Sequence, residues 1–232
     1  MALIKTGGGV AVISGSVGGT VFSRNKGGAY IRNRTIPINP NSPAQVVVKA
    51  AMAFLTSYWA QTLSAAERIA WNLYASNVSM VNRIGEAVFH SGFNHFVRSN
   101  MIRKQLGFPI ISPGPVVFEL PAQDPTFAIT ASEATQVITT VYDAGMDWAD
   151  ETDAWLVVFQ GRPQNPQRNF FNGPWLLAAA LQGVNGAPPA SPLVVNASIA
   201  FAELQHLWCY ARIMRADGRL SEPFRADTFC AA

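Results

Sequence analysis

The sequence predicts an α+β protein: an extended N-terminal arm with a β-hairpin, a small helical unit and a C-terminal antiparallel β-sandwich. Three observations lead to this fold class. Residues 1–42 are rich in glycine and proline, apolar residues follow helical spacing between residues 43 and 108, and short β-prone runs separated by turn residues fill residues 126–232. Residues 109–125 contain five prolines and are predicted to be a linker.

The arm is organised around a basic β-hairpin in residues 15–34, a segment without acidic residues. Residues 20–23 and 29–32 favour strands, and the Asn and Gly residues between them suit a hairpin turn. Glycine-rich chain loses much entropy on ordering, so we expect the arm to become ordered by adding strands to its own body or to a neighbour's sheet. The partner-binding residues predicted in the arm are Val21, Phe22, Arg24, Lys26, Tyr30, Ile31, Arg32 and Arg34.

Two amphipathic helices are predicted to follow as a helical hairpin. The first begins at Pro43, directly after a residue that can cap it. Ser64 and Glu67 have the spacing of a capping box, which predicts the start of the second helix. Because the link between the helices is short, we expect Trp59 and Trp71 to share one small core.

A third helix is predicted to open at Ser91 or Gly92, after a loop over residues 77–90, and to end at Gly107 as a left-handed C-cap. Its apolar stripe leaves three cationic residues to one side. They fit a basic binding face and a solvated helix face equally well: Arg98, Arg103 and Lys104.

The β-prone runs predict an antiparallel sandwich of the immunoglobulin or fibronectin type III kind, because six or seven short strands alternate with turn signals. The run over residues 175–181 is equally compatible with a helical turn. The predicted strands cover residues 127–130, 136–142, 154–159, 175–181, 193–199, 207–214 and 219–229.

A long loop over residues 161–173 is predicted to form a second contact surface. Exposed loops carry binding residues, and adjacent exposed aromatic side chains need a partner. The alternative is that both Phe side chains fold back under the loop as a satellite core. The partner-binding residues predicted in this loop are Arg162, Arg168, Phe170 and Phe171.

Charge is divided unevenly along the chain. Eleven Lys and Arg face two acidic residues before residue 109, whereas six Arg face twelve acidic residues after it. This asymmetry fits a basic half that meets nucleic acid, a head-to-tail packing of copies, or a solvated surface without a partner. Only 13% of the residues are charged, which indicates a neutral surface that partners can cover.

Targeting, membrane and disulfide signals are not predicted. No apolar run approaches the ~20 residues that span a bilayer, and no signal peptide is recognised at the N-terminus. Cys209 and Cys230 are too few for a disulfide framework, and Cys209 is expected to be a core thiol. We expect a soluble protein that is made in the cytoplasm and has no membrane partner.

Catalytic and metal sites are not predicted either, so we expect no enzymatic activity and no cofactor. His90 and His95 lack the spacing of a metal pair. The acidic run over residues 143–153 lacks the pattern of a calcium loop and is predicted to be a solvated hairpin. The glycine-rich segment over residues 15–20 lacks the Lys of a phosphate-binding loop and a following helix.

The order of motifs resembles a family of uncharacterised proteins from bacteriophage and prophage-bearing bacterial genomes. The similarity lies in the glycine-rich block SGSVGGTVFSRNKGGAYIR of residues 14–32, the proline-containing segment of residues 34–45, and the helix ending over residues 60–71. It covers roughly the first 105 residues. The resemblance implies a virion structural protein that is made in the host cytoplasm.

Together these observations predict a non-enzymatic decoration, cement or head-tail joining protein that laces neighbouring subunits through its arm. Its predicted partners are further copies of itself and other virion proteins, such as major capsid or tail subunits. Two alternatives stay open. One is a nucleic-acid-binding module that uses the basic N-terminal half, and the other is a tail accessory or adhesion protein whose sandwich binds the host through Trp148, Trp155 and Trp175.

Overall fold

The computed structural model describes residues 2–3, 7–8, 12–25, 28–36, 38–81 and 87–232. It divides into two compact units, residues 1–45 and residues 46–232.

The first unit contains a four-stranded antiparallel sheet. Its strands are β1 (Ala2–Leu3), β2 (Gly15–Val17), β3 (Thr20–Asn25) and β4 (Gly28–Asn33), in the order β1-β4-β3-β2. The β3-β4 pairing confirms the predicted hairpin. The two short outer strands were not predicted. The glycines at positions 18 and 19 make the turn into β3, and Gly18 has a φ of 56°, a left-handed conformation that favours glycine.

The helical part of the second unit matches the predicted helices closely. These are α1 (Pro43–Ser57), which starts at the unit boundary and continues as a π-helical turn (Tyr58–Thr62), α2 (Ala65–Asn77) and α3 (Gly92–Leu106). Gly107 caps α3 with a φ of 76°. The prediction of a loop over residues 77–90 is wrong, because β5 (Ser79–Val81) and β6 (Ala87–Phe89) pair as a short hairpin.

Aromatic side chains form the core of the helical part. Phe96 of α3 packs against the rings of Tyr58, Trp59 and Trp71, with centroid distances of 5.4–6.2 Å. Trp59 and Trp71 therefore do share a core, as predicted. The Trp71 indole donates a hydrogen bond of 2.8 Å to the carbonyl oxygen of Ser112, so the segment after α3 is held against this core.

Two antiparallel sheets form a β-sandwich in the rest of the second unit. One sheet has the strand order β11-β8-β7 and the other β10-β9-β12-β13. All seven predicted strands are present, and residues 175–182 form a strand and not a helical turn. The strands are β7 (Ala128–Ser132), β8 (Val137–Val141), β9 (Trp155–Gly161), β10 (Trp175–Gln182), β11 (Leu193–Asn196), β12 (His206–Met214) and β13 (Phe224–Phe229).

In each strand of the four-stranded sheet, successive side chains point alternately to the core between the sheets and to the outer face of the sheet. On β12, Leu207, Cys209 and Ile213 point into the core between the sheets. Intervening residues of this sheet point to its outer face, where Val157 and Met214 pack against Ile102 of α3. The helical part and the sandwich consequently share a hydrophobic cluster.

Among the described residues, no helix is both long and apolar enough to cross a bilayer.

Candidate protein interaction surfaces

The arm sheet presents two different faces. Phe22 of β3 lies opposite Ile31 of β4, so these side chains share one face. Val21 pairs with Arg32, and Ser23 pairs with Tyr30, which places this second set on the other face. Each face therefore carries both apolar and polar side chains.

Burial in the arm is low throughout. None of the residues in the ranges 12–24, 29–36 and 38–45 is buried, and none of them is part of the hydrophobic clusters of the second unit. Phe22 and Ile31 are half-buried, whereas Val17, Ile36 and Ile38 are 75–92% exposed. A sheet of this size normally needs an apolar face packed against something else to be stable. In the ranges for which burial is described, the arm thus has hydrogen-bonded strands but no buried side chain.

The three arginines of the arm are at its surface. Arg24, Arg32 and Arg34 are exposed. The Arg34 backbone amide donates a hydrogen bond of 2.8 Å to the carbonyl oxygen of Gly19, which fastens the end of β4 to the turn before β3. Lys26, also predicted to bind a partner, lies outside the described residues.

The predicted loop surface is only partly exposed. Arg162 and Phe170 are at the surface, with Phe170 65% exposed. Arg168 is exposed as well, and its Nε donates to the carbonyl oxygen of Phe170 at 2.8 Å. Phe171 is 3% exposed, because its ring packs edge-on against Trp175 and stacks over Trp208. The assignment of Phe171 to a contact surface is therefore corrected: it is a core residue, whereas its neighbour Phe170 is not.

The outer face of the four-stranded sheet carries aromatic rings and arginines that the sequence interpretation missed. Phe159 stacks on Tyr210 at 4.5 Å, and Trp175 meets Tyr210 edge-on at 4.9 Å. The Arg212 and Arg225 guanidinium groups lie 5.5–5.9 Å from rings of this face. Trp208, Tyr210 and Arg212 occupy every second position of β12, and this sequence pattern could have predicted the face.

A groove of about 300 Å³ runs between α3 and this sheet. Its apolar lining includes Met101 and Ile102 from the helix and Phe159, Tyr210 and Leu220 from the sandwich. Two arginines, Arg98 and Arg212, also line it.

The predicted basic face of α3 is not present. The Arg98 guanidinium reaches across to the sandwich and donates to the carbonyl oxygens of Leu220 and Ser221 at 2.6 and 2.7 Å. Arg103 is 5% exposed and donates from Nε to the carbonyl oxygen of Pro109 at 2.9 Å. The Lys104 ammonium lies 3.8 Å from the centre of the Phe54 ring. These cations hold the fold together.

Arg212 differs from Arg98 in having no hydrogen-bond partner and no ion pair among the described residues. Its Nε is buried without a hydrogen-bond acceptor, and it forms no ion pair within the described part of the chain. Burial, together with the adjacent positive charge of Arg212, lowers the pKa of Arg98 to about 10. Burial also lowers the pKa of Arg212, with Glu222 acting in the opposite direction. The groove is therefore a desolvated site with excess positive charge.

Two further titratable residues, His206 and Cys209, have contacts within the sandwich. Across the described ranges, no group of three His, Cys, Asp or Glu side chains is placed to hold a metal ion. The His206 ring packs against the Trp208 ring. Its Nε2 forms a hydrogen bond of 2.6 Å with Oδ2 of Asp227. Burial raises the pKa of the Cys209 thiol to about 12, as expected for a core cysteine.

The acidic segment over residues 143–153 is a series of turns and not the predicted hairpin. Glu151 is ion-paired with Arg215. Asp150 accepts a hydrogen bond of 2.6 Å from the backbone amide of Gly186. At least these two carboxylates are used within the fold.

Comparison with known proteins gives only distant similarities. No family model and no curated protein matches the chain. A structure described as a Fn3-like protein from Clostridium thermocellum aligns with 49% of this chain and 97% of its own length, at 9% identity and a TM-score of 0.32. The adhesin domain of Epf from Streptococcus pyogenes aligns with 48% of this chain and 32% of its own length, at 9% identity and a TM-score of 0.31.

Proposed function

We propose that this protein is a non-enzymatic structural component of a bacteriophage particle, which decorates, cements or joins its subunits by docking the N-terminal arm on neighbouring chains. The observation that carries the proposal is that no residue in the ranges 12–24, 29–36 and 38–45 is buried. Strands that lack a core within their own sheet gain one when a partner covers them. Three exposed arginines add an electrostatic preference for an acidic neighbour.

The sandwich and the helical part act as the rigid body that carries the arm. We infer a sandwich of the fibronectin type III kind, since its fourth strand, β10, lies at the edge beside β9. In constant-type immunoglobulin domains the fourth strand belongs to the other sheet. Domains of this architecture commonly serve as structural and binding modules.

The two alternative functions lose support from the positions of their residues. Trp148 is 1% exposed inside the sandwich core, so its ring is not free to bind a glycan. Trp155 and Trp175 are half-buried, with the first ring stacked on Phe108 at 4.2 Å and the second in edge-on contact with Tyr210 at 4.9 Å. For nucleic acid, the inward orientation of Arg98 and Arg103 removes the basic helix face. The arm arginines alone are few for a groove binder.

Deleting residues 2–40 tests the proposal. We expect the shortened chain to stay folded, because the cores of the second unit contain no arm residue, and to be missing from particles purified from phage-producing cells. Incorporation would be measured by immunoblotting of purified particles, and folding by circular dichroism.

A double variant tests whether docking depends on the face of the arm sheet that carries Phe22 and Ile31. Replacing Phe22 and Ile31 together with Ser should reduce incorporation by an order of magnitude or more, since both are half-buried cross-strand partners. The matched control is Val194→Ser, which changes a 63% exposed residue on the sandwich. Normal incorporation of the deletion variant would refute arm docking.

A further inference from the structure

The groove between α3 and the four-stranded sheet contains more positive than negative charge. Arg98 and Arg212 line it together, but only Arg98 has hydrogen-bond acceptors among the described residues. One carboxylate, that of Glu222, acts electrostatically on both arginines, and its Oε1 is buried without a hydrogen-bond partner among these residues. Two guanidinium groups thus share one carboxylate. Because incompletely neutralised buried charge is costly, this site is suited to a second carboxylate from outside the groove.

The rest of the groove selects for an apolar group next to that carboxylate. Phe159 and Tyr210 form a stacked aromatic floor, and Met101 and Leu220 line its sides. Aromatic and aliphatic side chains gain from burial on such a floor, whereas a bare anion does not.

The chain itself presents a segment with this chemistry. Residues 116–119, with the sequence Val-Val-Phe-Glu, lie in the irregular segment before the sandwich. Val116 is 83% exposed, Val117 41% and Phe118 40%. Glu119 is exposed and forms no ion pair with a described residue. An exposed apolar run that ends in an unpaired carboxylate is complementary to an apolar groove with an unpaired guanidinium.

We propose that the groove receives residues 116–119 of a second copy of this chain, with Phe118 on the aromatic floor and Glu119 paired with Arg212. The inference rests on the proposed function in so far as copies of the chain meet in the particle. It adds a contact that does not involve the arm.

Self-association of the full chain, measured by sedimentation velocity over a range of concentrations, tests this contact. Arg212→Gln should weaken association at least about thirtyfold, the lower end of what loss of one member of a buried charge pair costs. In dilute solution the same variant should unfold at an equal or higher temperature than the parent, because it removes an unpaired buried charge. Arg162→Gln, an exposed arginine of the same unit, is the matched control and should change neither quantity.

Charge reversal identifies the occupant. Arg212→Glu and Glu119→Arg should each abolish association alone, and an equimolar mixture of the two variants should restore it. If Arg212→Gln destabilises the fold and leaves association unchanged, Arg212 serves its own chain through Glu222 and the proposal is wrong. Binding to another particle protein without self-association would also overturn it. The Phe22 and Ile31 double variant should leave this contact intact, so failure of arm docking and failure of the groove are distinguishable.

Discussion

His95 shows how the environment of a single side chain sets its chemistry. The residue is 1% exposed, its ring lies 5.2 Å from that of Tyr74, and its Nε2 has no hydrogen-bond partner in the described chain. Burial lowers the pKa of His95 to about 4, and the positive charges of Arg98 and His90 contribute in the same direction. The spacing of His90 and His95 argued against a metal pair, and the structure instead places His95 in a mostly apolar environment.

This histidine should make the stability of the fold depend on pH. Unfolded His binds a proton near pH 6.5, whereas His95 in the folded chain does so only near pH 4, so the unfolded state binds more protons between these values. The contribution of His95 to the free energy of unfolding is therefore complete above pH 6.5 and is lost as the pH falls towards 4. In this range the free energy of unfolding changes by up to about 1.4 kcal/mol per pH unit. Urea unfolding between pH 4 and 7 should show a shallower slope for His95→Phe than for the parent. Equal slopes for the parent and the variant would contradict the assignment of this pH dependence to His95.

At the scale of elements, helix boundaries were predictable because capping is local. Ser64 accepts a hydrogen bond from the Glu67 amide at 3.3 Å, and its own amide donates to the Glu67 carboxylate at 2.8 Å. The β5-β6 hairpin was missed because strands of three residues are too short for an alternating pattern. The burial of Arg98 was missed because its acceptors lie more than 120 positions further along the chain.

The capping box can be tested by Ser64→Ala. Loss of the cap should lower the free energy of unfolding by about 1 kcal/mol, as is usual for a helix N-cap. The pKa of Glu67 is held below its ordinary value, first by the Ser64 side chain and then by the Ser64 backbone amide, so NMR titration of the variant should show it rising. Ser57→Ala is the matched control, because Ser57 makes no side-chain cap. An unchanged Glu67 titration would count against the geometry of the box.

At the scale of the whole molecule, the cooperation of the helical part with the sandwich was not predictable. The proline content of residues 109–125 indicated a linker, yet Asn100 holds Ile111 through two hydrogen bonds and Asp124 is buried. Proline and glycine mark irregular backbone but not whether it is packed. The abundance of glycine and proline predicted an extended arm, and no arm residue whose burial the structure describes is buried. The position of Arg212, by contrast, depends on strand pairing that composition does not reveal.

We therefore expect a fragment of residues 126–232 to expose apolar surface that is covered in the full chain. Without α3, the outer-face cluster around Val157, Met214 and Leu220 would be exposed to water. We expect this fragment to aggregate or to bind the dye ANS, while a fragment of residues 46–232 stays soluble and binds little dye. Equal dye binding by both fragments would show that the sandwich does not need the helices.

The first two turns of α1 have a consequence for how the protein enters an assembly. Residues 43–50 are all exposed, and the three successive valines at positions 46–48 point in three directions around the helix axis. Packing supplies most of the stability of a protein helix. The first turn of α1 has instead two reciprocal hydrogen bonds between Ser42 and Gln45, both at the surface. A binding surface that covers the valines would rigidify this stretch at the moment of contact, and recognition and local ordering would then be a single event.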